Sequence, residues 1–205
     1  MAWLVAGLGN PGPEYERSPH NLGFLAVDRF AERNGIRLTR PEAQAWVGLG
    51  KVGSTDVVVA KPQTFMNLSG GSVRVLLAKY SLPLENLLLV YDELALPFGQ
   101  LRIRPKGSAA GHNGVSSVIQ SVGSEEFCRL RIGCSDTSRT GPSRTGGHKG
   151  GKEYLLSPMR RELAKDLDSI LDLASQAIET ITAKGAEQAM AIFNRRAPSE
   201  PETNG

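Results

Sequence analysis

The sequence predicts an α/β fold: a single domain in which a central, mostly parallel mixed sheet is flanked by helices. Short apolar segments that end in turn residues alternate along the chain with longer segments of helical apolar spacing, the order that builds a parallel sheet. Residues 87–91 are apolar throughout, as expected of a central strand covered on both faces. The 205 residues, 40% of them hydrophobic, suffice for one domain with its own core.

Apolar periodicity and turn residues together predict the individual elements. Strands are predicted at residues 3–8, 46–52, 57–60, 87–91, 101–104 and 128–134. Helices are predicted from residue 19 to about residue 34, at 72–80, at 111–122, and as one long helix that opens at Ser157-Pro158. The first of them should have Ser18 as its N-cap, Pro19 in its first turn and Gly35 as its stop.

The last predicted helix carries an apolar stripe at helical spacing, formed by Met159, Leu163, Leu167, Ile170, Leu171, Ala174, Ile178 and Ile181. We expect the domain to span residues 1–194. Within it, residues 135–152 are rich in Gly, Ser, Thr and Arg, which indicates a mobile loop. Residues 195–205 are polar and rich in proline, which indicates a disordered tail.

Charge and cysteine content place the protein in a broad class. The formal net charge of +3 permits a nucleic-acid partner without requiring one. Cys128 and Cys134 form no C-x-x-C pair and would share one face of a strand, so we expect two packed free thiols in a reducing compartment. No apolar run is long enough to span a bilayer, and no cluster of metal ligands is apparent. We therefore expect a cytoplasmic protein with no membrane partner, no metal and no cofactor.

Residues 7–12 contain the pattern G-x-G-x-x-G directly after a predicted strand, and Asp28 follows at a distance suited to a ribose-binding acid. This pattern occurs in dinucleotide-binding sites, where the third glycine begins a helix that binds pyrophosphate. Here Pro11 and Pro13 flank Gly12, and neither proline can donate a backbone N–H to phosphate. The pattern therefore predicts a rigid loop rather than a dinucleotide site.

Five polar residues in loops or at element ends are candidates for function: Asn10, His20, Asn67, Asp92 and Asn113. His20 falls in the first turn of a predicted helix, where the helix N-terminus disfavours the imidazolium, while a nearby carboxylate would favour it. The two effects together suit a general base. The alternative is that His20 only packs or caps.

Asp92 follows the apolar strand at residues 87–91, and in open α/β sheets ligands bind at the carboxyl ends of strands. An acid at this place can orient a histidine, although a helix cap or a loop ion pair remains an alternative. The three asparagines offer neutral amides that suit a peptide backbone or a sugar hydroxyl, with ordinary turn residues as the alternative. Because no G-x-S-x-G serine and no cysteine beside a base is present, histidine-activated water is the predicted nucleophile.

The chain resembles the bacterial-type peptidyl-tRNA hydrolase family from about Trp3 to Gly133. The matching segments recur in the family's order and approximate spacing, and as a set they are far more specific than the glycines alone. The matching segments are VAGLGNPGPEYERSPHNLGF, KPQTFMNLSG, VYDELALPFG, GHNGVSSVIQSVG and RLRIGC.

The resemblance implies an enzyme that hydrolyses the ester between a peptide and its tRNA, without a metal, a cofactor or a covalent intermediate. It implies that His20 is the base that activates water and that Asp92 stabilises the protonated histidine. Asn10 would hydrogen-bond near the histidine and help to distinguish blocked from free aminoacyl-tRNA.

The resemblance also implies the residues that bind the peptide end of the substrate. Tyr15, Phe65, Asn67 and Asn113 would line the substrate site, with Met66 as part of its wall. The amides of Asn67 and Asn113 would hold the peptide main chain beside the ester.

For the RNA end, the resemblance implies that Arg104 and Arg131 clamp the 5′ phosphate, although ordinary surface charge is the alternative for both. The expected partner is peptidyl-tRNA, bound through its acceptor stem, 5′ phosphate and peptide, and the expected enzyme is a monomer. The basic loop at residues 135–152 could contact tRNA or form a solvated insertion. A second hypothesis for the whole protein is a non-catalytic RNA-binding relative of the family that acts in RNA processing.

Overall fold

A computed structural model describes residues 2–135 and 151–194 of the chain, and within them seven strands form one sheet. The strands are β1 (Ala2–Gly7), β2 (Arg40–Glu42), β3 (Ala45–Val52), β4 (Thr55–Pro62), β5 (Leu87–Pro97), β6 (Leu101–Arg104) and β7 (Cys128–Ser135). Their order across the sheet is β2-β3-β4-β1-β5-β7-β6. The central strands β4, β1, β5 and β7 are parallel, whereas β2, β3 and β6 join the sheet antiparallel to their neighbours.

Helices cover both faces of the sheet. They are α1 (Leu22–Arg33), α2 (Ser69–Lys79), α3 (Asn113–Val122), α4 (Gly151–Leu156), α5 (Arg161–Ala164), α6 (Leu167–Lys184) and α7 (Ala186–Phe193). One core lies between the sheet and α1, α6 and α7, and the other between the sheet and α2 and α3. In the parts of the chain that the structure describes, no helix has both the length and the apolarity needed to cross a bilayer.

The predicted fold class is confirmed, and the parallel centre of the sheet explains where a site can form. Successive residues of β5 alternate between the two cores: Leu88 and Val90 pack on the α1 side, Leu87 and Leu89 on the α2 side. Because β1, β4 and β5 run in the same direction, the segments that follow them emerge together at the carboxyl ends of these strands.

The start of α1 differs from the prediction. Ser18 does not cap a helix with its side chain, and its hydroxyl donates instead to the carbonyl of Tyr15 over 2.9 Å. The chain first forms a 3-10 turn at Pro19–Asn21, and the α-helix begins at Leu22. The proline does occupy the first position of that turn, as predicted.

The single long helix predicted after Ser157 is wrong. The chain forms the short helix α5, turns at residues 165–166 and starts again as α6. The Ser169 hydroxyl donates to the carbonyl of Asp166 at this restart, and Ser and Asp commonly compete with helical hydrogen bonds in this way. The predicted stripe is nevertheless buried where it lies in α6, from Ile170 to Ile181.

Three elements were not predicted: the edge strand β2 and the helices α4 and α7. Strand β5 is also longer than predicted and includes Asp92. Ser135 ends β7 and Gly151 begins α4, so the loop predicted at residues 135–152 was too wide at both ends. Its interior, residues 136–150, and the predicted tail at residues 195–205 lie outside the described residues.

The first two glycines of the G-x-G-x-x-G pattern allow α1 to approach β1 closely. A Cβ atom on Gly7 would lie 2.4 Å from the carbonyl oxygen of Gly23, and one on Gly9 would lie 2.6 Å from the Phe24 ring. Asp28, the residue at the ribose-binding distance, forms an ion pair with Lys61 at 2.6 Å. These contacts give the pattern a packing role and support the rejection of a dinucleotide site.

We predict that Gly7→Ala lowers the free energy of unfolding by about 1–3 kcal/mol, because the added methyl group meets the backbone of α1. Gly71→Ala is the matched control, since a Cβ atom there has no neighbour within 4 Å and the residue lies in α2. This control should be neutral or raise stability by up to about 1 kcal/mol through helix propensity. Urea unfolding curves measure both, and equal stability of the two variants would contradict the packing role.

Candidate active site

A cavity of about 850 Å³ opens at the carboxyl ends of the parallel strands. Its lining brings together eight residues singled out in the sequence: Asn10, Tyr15, His20, Phe65, Met66, Asn67, Asp92 and Asn113. Arg104 and Arg131 are not part of this lining and lie on β6 and β7. The two leucines of α4, Leu155 and Leu156, add an apolar wall.

Asp92 is the centre of the hydrogen-bond network in this cavity. Its Oδ1 atom lies 2.8 Å from Nδ1 of His20 and 3.0 Å from Nε2 of His112. Its Oδ2 atom lies 4.0 Å from the thiol of Cys134. The residue is only 2% exposed, so the charge of this carboxylate is stabilised by hydrogen bonds from protein groups rather than by water.

The protonation state of Asp92 follows from these contacts. Burial by itself would raise the pKa of the carboxyl group, but the interactions with His112 and His20 outweigh burial and hold that pKa well below its usual value. Asp92 is therefore a carboxylate throughout the neutral range, and it accepts the hydrogen bonds that reach it.

The tautomer of His112 is fixed by the start of α3. His112 is the N-cap of this helix, and its Nδ1 atom accepts hydrogen bonds from the backbone N–H groups of Gly114 (3.1 Å) and Val115 (3.3 Å). A ring nitrogen that accepts carries no proton. The ring proton of His112 is therefore on Nε2, which donates to Asp92.

His20 uses the opposite nitrogen. Its Nδ1 atom faces the Asp92 carboxylate, which can only accept, so Nδ1 carries the proton and donates. This leaves Nε2 unprotonated in a ring that lines the cavity. The ring is nearly buried and lies 5.1 Å, centre to centre, from the ring of His112. An imidazole held in this tautomer can accept a proton from a group in the cavity.

The loop that carries Asn10 is fixed on two sides. The Asn21 side chain binds the Asn10 backbone twice: its Oδ1 accepts from the N–H over 2.8 Å, and its Nδ2 donates to the carbonyl over 3.0 Å. The Asn10 side chain accepts through Oδ1 from the backbone N–H of Met66 over 2.8 Å. The Nδ2 group of Asn10 is then the part of the amide that can donate to a ligand.

Two further amides reach the cavity from different elements. Asn67 lies in the 3-10 turn at Met66–Leu68, and Asn113 is the first residue of α3. Both are exposed, as is Phe65, a residue of the cavity wall that is 60% exposed. Exposed amides beside an apolar ring suit a ligand that has peptide groups and side chains.

His112 and Asn21 belong to this site, but the sequence reasoning did not single them out. The helix was predicted to start at residue 111, two residues before α3 begins at Asn113, so His112 lay inside the predicted helix and not at its N-cap. Histidine is an uncommon N-cap, however, so the usual Ser, Thr, Asp and Asn preference does not find it. Asn21 directly follows His20 but carries no motif of its own.

His20, Asp92 and His112 place three possible metal-ligand atoms within 4.8 Å of one another. The hydrogen bonds argue for a proton network here instead. The Nε2 atom of His112 must keep its proton, because Nδ1 of the same ring already accepts two backbone N–H groups. A cation at this place would have to break that N-cap or the bond to Asp92.

Glu93 connects the cavity wall to Arg131. Its Oε2 atom accepts from Nε of Arg131 over 2.7 Å and also from Nη2 of the same guanidinium. Its Oε1 atom accepts from the backbone N–H of Ala95 over 3.0 Å. Arg104 lies exposed at the end of β6. Because β6 pairs antiparallel with β7, the two predicted arginines occupy neighbouring strands.

Comparisons with known proteins show the family to which the chain is similar. A family model described as peptidyl-tRNA hydrolase matches residues 4–201. A peptidyl-tRNA hydrolase of Solibacter usitatus is 51% identical over 96% of this chain and 96% of its own length, and one of Koribacter versatilis is 42% identical over 98% and 96%. The crystal structure of peptidyl-tRNA hydrolase from Acinetobacter baumannii superposes with a TM-score of 0.86 at 30% identity, covering 97% of each chain.

We predict that Asn21→Ala lowers the free energy of unfolding by about 2–3 kcal/mol, since two buried hydrogen bonds to the Asn10 backbone are lost together. Asn86→Ala is the control, because Asn86 is similarly buried but its side chain makes a single hydrogen bond, which Nδ2 donates to the carbonyl of Ala2. It should cost about 1 kcal/mol. Chemical denaturation measures both losses, and a smaller loss for Asn21→Ala than for Asn86→Ala would contradict the bracing of this loop.

Proposed function

Because the chain belongs to the peptidyl-tRNA hydrolase family, we propose that it hydrolyses the ester between a peptide and its tRNA with His20 as the general base. The observation that carries this proposal is the 2.8 Å hydrogen bond from Nδ1 of His20 to Asp92. It fixes the tautomer in which Nε2 is free to take a proton from water. The tRNA released from stalled or aborted translation would then be used again.

In the proposed reaction, Nε2 of His20 accepts a proton as a bound water attacks the ester carbonyl carbon. The imidazolium that forms is stabilised by the Asp92 carboxylate. When the tetrahedral intermediate collapses, the ester bond to the ribose oxygen breaks, and the imidazolium returns the proton to that oxygen. The products are the peptide carboxylic acid, which ionises in water, and a tRNA with a free terminal hydroxyl.

The cysteines near the site do not suit a covalent mechanism. Burial raises the pKa of the Cys134 thiol, and the nearby carboxylates of Asp92 and Glu93 raise it further. Burial also raises the pKa of Cys128 to about 12. Because the thiolate is the nucleophilic form, both cysteines are inert thiols, and water remains the proposed nucleophile.

The amides of Asn67 and Asn113 would hold the peptide main chain beside the ester. Asn10, with its Oδ1 bound to the Met66 backbone, would donate through Nδ2 close to His20 and favour a blocked α-amino group. A free aminoacyl ester carries an ammonium group at that position. The ammonium group and Nδ2 of Asn10 are both donors, so they repel each other. The walls around the peptide side chains would be formed by Tyr15, Phe65 and Met66. These contacts need not be specific for one peptide sequence.

The tRNA end of the substrate would bind outside the cavity, with Arg104 and Arg131 on the 5′ phosphate and the acceptor stem alongside. Guanidinium groups bind phosphate with two parallel hydrogen bonds. We further propose that the enzyme acts as a monomer. We also propose that it acts in the cytoplasm, because the two buried cysteines are free thiols and a reducing compartment keeps thiols reduced. The alternative, RNA binding without cleavage, is less favoured because His20, Asp92 and the three asparagines are all in place.

We predict that His20→Ala lowers kcat for a blocked aminoacyl-tRNA by a factor of about 10²–10⁴, the usual contribution of a positioned general base. The variant should remain folded, as judged by circular dichroism, and should still bind substrate. Steady-state kinetics with N-acetyl-aminoacyl-tRNA measure the effect.

His112→Asn is the matched control, because His112 shares Asp92 but has no free ring nitrogen. Asparagine keeps the N-cap of α3, so the variant loses mainly one hydrogen bond to Asp92 and should lose about tenfold in kcat. Near-normal activity of His20→Ala would overturn the mechanism. Tight binding of peptidyl-tRNA by the wild type without any cleavage would instead favour the non-catalytic role.

A further inference from the structure

The two exposed asparagines of the cavity lie beside a tight contact between α2 and α3. Asn67 belongs to the 3-10 turn that leads into α2, and Gly70 follows it three residues later, in the first turn of that helix. Asn113 is the first residue of α3, and Ser117 follows it by four residues. Residues three or four apart share one side of a helix, so the contact between Gly70 and Ser117 lies one helical turn from the two asparagines.

The chain segments on the two sides of this contact approach each other very closely. A Cβ atom on Gly70 would lie 2.0 Å from the carbonyl oxygen of Ser117, so a larger residue fits only if one helix moves. A second close approach lies at the cavity itself, where a Cβ atom on Gly114 would lie 2.5 Å from the Sδ atom of Met66. Met66 and Gly114 are chain neighbours of the two asparagines. The two contacts therefore bracket the asparagine pair and restrict changes in its separation.

One hydrogen bond links the two helices at this contact. The backbone N–H of Gly70, a buried residue, donates to the hydroxyl oxygen of Ser117 over 3.0 Å. The first N–H groups of a helix have no acceptor within the helix and need one from outside it. The N-cap residue of α2 is Leu68, whose apolar side chain cannot accept a hydrogen bond. Ser117 therefore caps α2 from another helix, and this bond holds α2 against α3.

We propose that Ser117 is a positioning residue for substrate binding: its hydroxyl sets the separation of Asn67 and Asn113, and with it the fit of the peptide main chain between their amides. Hydrogen bonds weaken steeply outside a narrow range of distance and angle, so one main chain that binds both amides needs them at a defined separation. Among the described residues, Ser117 is not one of those that line the cavity, so it acts through the asparagines. This inference rests on the proposed function, because it concerns the same peptide and the same site.

The test is a double-mutant cycle of Ser117→Ala and Asn113→Ala, assayed on a tRNA that carries an N-acetyl dipeptide. Ser117→Ala removes the acceptor of the Gly70 N–H and adds no bulk. In the otherwise unchanged protein we expect KM to rise about fivefold and kcat to stay within about twofold, because one hydrogen bond to the substrate is weakened. In the Asn113→Ala background the same change should alter KM by less than about twofold, since a separation matters only while both amides are present.

Ser121→Ala is the matched control. Ser121 lies four residues after Ser117 in α3, and both residues are half-buried. Its Oγ atom also lies close to Gly70, since a Cβ atom on that glycine would be 2.5 Å away. The acceptor of the Gly70 N–H is Ser117 and not Ser121, so Ser121→Ala should keep KM and kcat within about twofold of the wild type. Ser117→Thr keeps the hydroxyl and should retain most of the affinity that Ser117→Ala loses.

A purely structural role for Ser117 predicts a different pattern. Loss of folded protein reduces kcat by the same factor in both backgrounds and leaves KM unchanged, and thermal unfolding followed by circular dichroism measures the folded fraction. That pattern would overturn the inference, and so would a fivefold rise in KM that persists in the Asn113→Ala background. If Ser117→Ala does not fold, Ser117→Cys takes its place in the same cycle, because sulfur is a weaker acceptor than the hydroxyl oxygen.

A binding measurement separates this inference from the proposed function. An acceptor-stem RNA hairpin that carries the N-acetyl dipeptide through an amide instead of an ester needs no hydrolysis, and fluorescence anisotropy measures its affinity. If the wild type fails to cleave peptidyl-tRNA, the proposed function falls, and an affinity for the hairpin that Ser117→Ala weakens only while Asn113 is present would still support the positioning role. If the wild type cleaves but the effects of the two substitutions on this affinity are additive, the positioning role falls alone. A wild type that neither cleaves nor binds would overturn both.

Discussion

One buried carboxylate oxygen organises the candidate active site. Oδ1 of Asp92 accepts hydrogen bonds from two imidazole rings, at 2.8 Å and 3.0 Å, and each ring enters from a different element. His20 comes from the turn before α1, and His112 from the start of α3. The two rings have opposite tautomers because one of them also caps a helix. The difference in their roles therefore arises from the backbone around them and not from the residue type.

The rest of the fold brings these groups to Asp92. The carboxyl ends of the parallel strands place the Asn10 loop and Asp92 at one edge of the sheet. Helix α1 must then lie very close to β1 and β5 for His20 to reach Asp92. A Cβ atom on Gly23 would be 2.4 Å from the carbonyl oxygen of Val90, so this approach requires glycine. Gly7 and Gly9 of the G-x-G-x-x-G pattern likewise allow α1 to approach β1, and the geometry of the candidate site depends on this close packing.

The sequence predicted most of this fold and the central pair of the site, for reasons that are local. Apolar periodicity locates strands and amphipathic helices, and the carboxyl end of a buried strand is a general place for a functional acid, which identified Asp92. Positions in loops and at element ends singled out His20 and the three asparagines, and the family resemblance implied their roles. The pairing of His112 with Asp92 depends on a contact between residues 20 positions apart, and nothing in the spacing of a single histidine reveals it.

Other differences also reflect tertiary contacts. Serine is a residue type typical of an N-cap, but the Ser18 hydroxyl donates to the carbonyl of Tyr15 because the chain first forms a 3-10 turn. The break before α6 lies inside an unbroken apolar stripe, so periodicity alone predicts one helix. The pairing of Arg131 with Glu93 likewise joins residues 38 positions apart. This pair offsets the charge of Arg131, which a count of charges in the sequence does not reveal.

The central claim concerns the positions of two protons, and long-range ¹H–¹⁵N correlation spectra of the imidazole rings measure them directly. The chain has three histidines, so the spectrum is simple. For the neutral form of each ring, the hydrogen bonds predict the Nδ1–H tautomer for His20 and the Nε2–H tautomer for His112. A protonated Nε2 on neutral His20, or the same tautomer on both rings, would contradict it.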